Sequence, residues 1–152
     1  MPIIKIRPCE PSELNEVDAL VAAYHRFEAI DLPPATRRQG VMELLENDHL
    51  GRIWLIEFDA EVVGYIAVCF GYSIEFAGRD AFIDEFFINE DHRGRGLGSS
   101  ALELVATEMS RLNIAALHLE VARSNSRSAR LYAAAGFEAR SKYQLMTRKL
   151  RE

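Results

Sequence analysis

The stretch DEFFINEDHRGRGLGSS, Asp84 to Ser100, sets two carboxylates inside an aromatic run, then a polar connector, then glycines at every second position. Its first part belongs to AFIDEFFI, rich in aromatic and β-branched residues, which predicts a strand. From Leu97 onward, apolar residues fall at Ala101, Leu104, Val105, Met109 and Leu112, one face of a helix. Glycines at a strand-to-helix turn let the backbone take positive φ and approach a ligand closely. The first N–H groups of a helix lack internal partners, and its dipole adds positive charge, so the turn is an anion site suited to phosphate. Arg93 and Arg95 add charge at its mouth.

Two other phosphate folds compete for this turn. A P-loop needs Gly-Lys-Ser/Thr after its glycines, and none is present. A Rossmann turn is nearly met by Gly94-x-Gly96-x-x-Ser99, with Glu120 ending the next strand where a ribose-binding acid would sit. Against it, the third glycine is missing, a polar connector separates strand from glycines, and the motif comes late in a short chain.

Working outward, IIKIRP predicts a first strand, and SELNEVDALVAAYHRFEAI a helix capped by Ser12, with Leu14, Val17, Leu20, Val21 and Tyr24 at helical spacing. DLPP stops it. TRRQ has the form of a capping box and predicts a second helix from Thr36 through VMELLEND, with Arg37 and Arg38 solvated at its start. RIWLIEF and VVGYIAVCFGY flank DAE as a hairpin. IAALHLEV predicts a strand, SNSRSARLYAAAG a helix ended by Gly136, and YQLMTRKL a closing strand. His92 and His118 are expected on the surface. The layout is one mixed α/β domain, 1–152.

At 152 residues and 49% hydrophobic, the chain can bury a core without staples. Its formal net charge of −5 disfavours nucleic acid and anionic membrane as partners. No run reaches the ~18 apolar residues of a membrane span, and MPIIKIRPCEP lacks a signal-peptide layout. Cys9 and Cys69 match no metal spacing and read as free thiols. These features predict a cytoplasmic protein without a metal.

HRGRGLGSSAL resembles the acetyl-CoA loop of the GNAT superfamily of N-acetyltransferases, Arg/Gln-x-x-Gly-x-Gly/Ala, with Arg93, Gly96 and Gly98 in register. SNSRSARLYAAAGFE resembles the same family's Asn…Ala-x-x-Leu-Tyr…Gly-Phe segment, with Asn125, Ala129, Tyr132, Gly136 and Phe137 in place. The resemblance implies a GNAT fold: a mixed, mostly antiparallel sheet split between strands four and five, with helices on both faces. It implies acetyl-CoA as cosubstrate, its pyrophosphate held by the loop of Arg93, Gly94, Arg95, Gly96, Leu97, Gly98 and Ser99. Backbone groups near Phe87 and Ile88 would hold the pantetheine, with Asn125 and Ser128 further along. Homodimers are common in such families.

Acetyl transfer to an amine asks for a base to take a proton from an ammonium and an acid to protonate the leaving thiolate. Asp84 and Glu85 are the candidate bases. In a regular strand they face opposite sides, so one of them reaches the amine unless a bulge intervenes. Diamine acetyltransferases, one branch of the family, carry Glu-Asp here where this chain has Asp-Glu. Tyr132 has a phenol of ordinary pKa near 10, and the family's general acid coincides with it. The expected reaction is acetyl transfer to a small-molecule primary amine in a ternary complex. The alternatives are a protein or peptide N-acetyltransferase and, outside enzymes, an acyl-CoA or nucleotide binder. The acceptor-binding part, Tyr24 to Asp48 and Tyr72 to Asp80, carries no readable motif.

Overall fold

The structure, a computed structural model, describes residues 3–151. The chain divides into two compact units, one running to Glu120 and one starting at Val121.

The first unit is built on five strands in the order β1-β2-β3-β4-β5. They are β1 (Ile4–Pro8), β2 (Gly51–Phe58), β3 (Glu61–Ser73), β4 (Gly78–Ile88) and β5 (Ala116–His118). β1 to β4 pair antiparallel, and β5 lies parallel to β4. The β2–β3 hairpin turns at Asp59 and Ala60, both at positive φ (51° and 65°), as a tight hairpin turn requires.

Between β1 and β2 come α1 (Leu14–Phe27) and α2 (Pro34–Glu46), and α3 (Leu97–Arg111) joins β4 to β5. Val17, Val21 and Val41 from α1 and α2 cluster with Ile53, Leu55, Tyr65, Ala67 and Phe87 on one face of the sheet. The alternating residues Trp54, Ile56, Ile66 and Val68 are buried on the other face. There α3 buries Leu97, Ala101, Leu102, Val105 and Met109 and runs beside β1 and β4. Helices therefore cover both faces.

Pairing between β4 and β5 covers only Asp80–Phe82 against Ala116–His118. From Ile83 onward, β4 keeps β3 on one side and, among the described residues, pairs with no strand on the other. This is the split between the fourth and fifth strands that the family resemblance implies.

The second unit holds α4 (Ser126–Ala134), which stops before Gly136 at φ 93°.

Four boundaries differ from the sequence reading. A 3-10 turn, Pro11–Glu13, precedes α1, and the capping box there joins Glu10 to Glu13, so Ser12 is not the cap. α2 starts at Pro34 with Pro33 as its cap residue, because proline supplies helical φ at the first position and has no N–H to strand. Thr36 is thus inside the helix. IAALHLEV forms strand only over Ala116–His118. YQLMTRKL forms no strand: Tyr143, Leu145, Met146 and Leu150 are exposed. A period-two pattern states what a strand would bury, and it does not supply the neighbour that a strand needs.

Candidate active site

The register of β3 against β4 steps between Ala67–Glu85 and Val68–Ile83, so Asp84 is an extra residue with no partner of its own. Such a bulge sets two successive side chains opposite one residue and turns both to its face. Ala67 faces α1 and α2. Asp84 and Glu85 accordingly line one cavity of about 240 Å³, walled also by Val21, His25, Arg37 and Tyr65. The strand's irregularity removes the choice that strict alternation would impose.

The two acids are not equivalent. Glu85 Oε1 accepts a hydrogen bond from the Tyr65 hydroxyl (2.8 Å), and its Oε2 lies 2.7 Å from His25 Nε2. Both carboxylate oxygens are therefore engaged. Tyr65 is fully buried. Burial first, and then the Glu85 charge, push its phenol far above the ordinary range, so it stays a donor. With Nε2 donating to Glu85, a neutral His25 leaves Nδ1 as a bare acceptor, and that atom is buried without a hydrogen-bond partner. Tyr24 packs edge-on to Tyr65 and tilted against His25 and Phe87, and braces the group.

Asp84 is open to water on its outer side. Even so, its surroundings hold its carboxyl above the usual carboxylate range. Lost hydration within the concave wall contributes most, then the Glu85 and Glu120 charges, while His25 acts in the opposite sense. A carboxyl raised in this way is a better proton acceptor when ionised than an ordinary aspartate.

Beyond β4 the chain makes a 3-10 turn, Glu90–His92, and enters the glycine loop. Gly94 and Gly96 take φ +78° and +75°, and a Cβ on either would meet nothing within 4 Å. Conformation demands glycine here, and the space above it is open. Gly96 caps α3, whose first hydrogen bond at this end is Ser100 N to Gly96 O (3.3 Å). The N–H groups of Leu97, Gly98 and Ser99 thus precede the helix's own bonding pattern. A cavity of about 400 Å³, lined by Arg95, Gly96, Leu97 and Ser100, opens beside them.

Arg93 is used differently from its expected place at the loop's mouth. Its Nε donates to the Ile88 carbonyl (2.9 Å), and its guanidinium lies over the rings of Phe27 (4.7 Å) and Phe87 (5.3 Å). It ties the loop to the end of β4.

The backbone of β4 turns successive residues to opposite sides, which separates Phe87 from Ile88, the two expected to face the pantetheine. Asn89 N donates to Val63 O, so alternation turns the N–H and C=O of Phe87 toward β3. A Cβ on Gly64 would run into the Phe87 carbonyl, which fixes the same direction. The groups facing the split side belong to Phe86 and Ile88.

In the second unit, Asn125 caps α4: its Oδ1 accepts from Ser128 N (3.1 Å), and its amide N–H groups are not part of that cap. Tyr132 lies one turn before the end of α4, its ring 6.1 Å from that of Phe137.

His25, Tyr65 and Arg37 were missed as site residues. Arg37, expected in solvent, makes a two-point pair with buried Asp18 through Nε (2.9 Å) and Nη2 (3.2 Å). A signal for Asp18 and His25 was present. Leu14, Val17, Asp18, Val21 and His25 form the buried stripe of α1, so two polar residues stand on an apolar face. His118, expected on the surface, lies half-buried, with Nε2 3.2 Å from Asp80 Oδ2. His92 is half-buried too, its ring edge-on to that of Phe58. Among the described residues no group of three or more His, Cys, Asp and Glu is placed to hold a metal, and no helix is long and apolar enough to cross a membrane.

Anion-receiving amides at a helix start, an open strand edge and paired carboxylates in a cavity beside it suit a group-transfer enzyme that works on a phosphate-bearing donor. The model of the acetyltransferase (GNAT) family matches residues 16–137, and the chain belongs to that family. It is 33% identical over 75 residues to a thialysine N-epsilon-acetyltransferase of Bos taurus, a stretch covering 49% of this chain and 44% of that protein. The match thus spans less than half of the bovine relative. An integron cassette protein from the mobile metagenome of Cole Harbour Salt Marsh is 31% identical with a TM-score of 0.84, covering 97% of this chain and 91% of that one. An aminoglycoside N-acetyltransferase solved with CoA shares the fold at 17% identity, with a TM-score of 0.80 and coverage of 99% and 97%.

Proposed function

We propose that this protein transfers the acetyl group of acetyl-CoA to a primary amine of a small molecule, with both substrates bound at once. The observation that carries this reading is the bulge at Asp84, which turns two carboxylates into one small cavity. Paired acids attract an ammonium and then accept its proton; a neutral alcohol gains less from them. About 240 Å³ is small beside the roughly 300–1,000 Å³ of drug-sized ligand sites, which favours a small acceptor over a folded peptide segment. The name of the bovine relative points to a side-chain amine as that enzyme's acceptor, in keeping with an aliphatic amine here.

Asp84 is the base. Glu85, held at both oxygens, keeps the wall in shape and supplies field. Acetyl-CoA supplies the acetyl group as a thioester. The freed amine attacks the thioester carbonyl, and as the C–S bond breaks the nitrogen gives up its second proton to water while the departing sulfur takes a proton from the phenol of Tyr132, the acid the family resemblance assigns; water then reprotonates the phenolate, and the one net proton leaves from Asp84 to solvent. The loop fits the donor's diphosphate: αL glycines, three amides at the start of α3, and Arg95 beside an open cavity. The backbone of Phe86 and Ile88 fits the pantetheine. Asn125 and Ser128 are assigned to CoA by the family resemblance. The family match covers parts of both units, which supports 1–152 acting as one domain.

A screen of diverse amines for CoA release tests the function. Turnover of small cationic amines is expected, and acetylation of peptides alone overturns it. Acetyl-CoA at a hundredfold excess over Kd should stabilise the fold by about 2.7 kcal/mol. Gly98→Val places a branched side chain where phosphate would lie, in a helical position that valine tolerates, and should remove that gain. Thermal melts with and without ligand check this, and an unshifted melt of the natural chain refutes the binding site.

A further inference from the structure

The cavity beside Asp84 carries opposite charge on its other wall. Arg37, in the first turn of α2, lines the same cavity as Asp84 and Glu85. Asp18 takes its Nε–H and one Nη2–H, leaving three of the five guanidinium N–H donors. Asp18 itself is buried and does not line the cavity, so it sits behind the guanidinium and orients it. The first turn of α2 contains no acidic residue and no side-chain cap, and Thr36 from that turn also faces the space. Gly40, one turn further on, lines it too. A Cβ there would meet nothing within 4 Å, so neither packing nor φ demands a glycine inside the helix. The sequence leaves this room unfilled.

We infer that the acceptor is a free amino acid bearing a terminal primary amine, its ammonium beside Asp84 and its carboxylate on Arg37. The inference rests on the function proposed above and narrows it. A guanidinium held in a fixed plane suits a planar, two-oxygen anion such as a carboxylate. A diamine would bring its second ammonium against that guanidinium, and an amide or ester of the amino acid would leave it without a charged partner.

Three acceptors of matched length decide the matter without any substitution: lysine, lysinamide and 1,5-diaminopentane, followed by CoA release. Lysine is expected to exceed both in kcat/KM by about tenfold or more, as loss of one charge-assisted pair gives. The double variant Asp18→Asn/Arg37→Gln leaves no buried charge unpaired. It should bring the ratio of kcat/KM for lysine over lysinamide, both measured on the same variant, down to about one. Arg37→Lys, which retains charge without the fork, should fall between. If lysinamide or the diamine is used as well as lysine, the amino-acid assignment is wrong and the small-amine function stands. If the double variant keeps the natural preference for lysine, Arg37 is not the carboxylate site. If no small amine of any kind releases CoA, the function falls and takes this inference with it.

Discussion

Asp84→Asn should lower kcat by about 10²- to 10⁴-fold, the span of a lost general base, while acetyl-CoA affinity stays near its natural value. The substitution keeps size and removes the charge and the proton acceptor. Glu85 cannot take over, because Tyr65 and His25 occupy both of its oxygens. The variant should also be no less stable than the natural protein. The folded-state pKa of Asp84 is raised, so its relative stabilisation of the fold is present below the unfolded pKa and lost as pH rises through the folded one. Above that window the ionised group is held at a cost that asparagine removes. A pH profile separates the two acids. The rate of the natural enzyme should rise through a pKa above the ordinary carboxylate range. Glu85→Gln, by removing the second-largest cause of that shift, should move the rise to lower pH. Full kcat/KM in Asp84→Asn, at any pH, overturns its role.

The second large effect is expected at Tyr132, where phenylalanine keeps the ring and removes the proton. If the phenol protonates the departing thiolate, Tyr132→Phe should lose roughly 10²- to 10⁴-fold in turnover. The loss should lie in kcat, because a proton delivered to the leaving group acts in the transition state and adds nothing to ground-state binding. The ring packs beside Phe137, and phenylalanine preserves that contact. Acceptors do not differ at the leaving group, which is CoA in every case. The loss should therefore be the same for good and poor amines. Natural turnover in the phenylalanine variant reduces Tyr132 to a packing residue.

Most of the architecture was legible because each element carried its own period. AFIDEFFI, the hairpin around DAE and the apolar face from Leu97 all form where the pattern puts them. The ends were not. YQLMTRKL has a strand's composition and forms none, since pairing is a property of neighbours that one segment cannot encode. The glycine loop was legible for a similar reason to the strands: positive φ at Gly94 and Gly96 is a local demand. The acid pair was visible as residue types, but its geometry depended on a register step against Ala67 and Val68 of β3, which the residues of β4 alone do not reveal. Arg37 was misjudged for want of its partner: two arginines at a helix start look solvated until Asp18, on another helix, is known to face them. Polar residues on the buried stripe of α1 were the overlooked clue.

The bulge has a consequence for how this site came to exist. Ile83 pairs with Val68 and Glu85 with Ala67, so excising Asp84 alone would leave an unbroken antiparallel ladder. The proposed base is a surplus residue on an otherwise finished strand. Chain length, as much as residue identity, makes the chemistry here. A deletion of this one position would yield a sheet with the same register, the same hairpin and the same helix contacts, and one carboxylate fewer. Folding and catalysis are thus separable at a single codon: the scaffold can be inherited whole while the activity is gained or lost by an insertion.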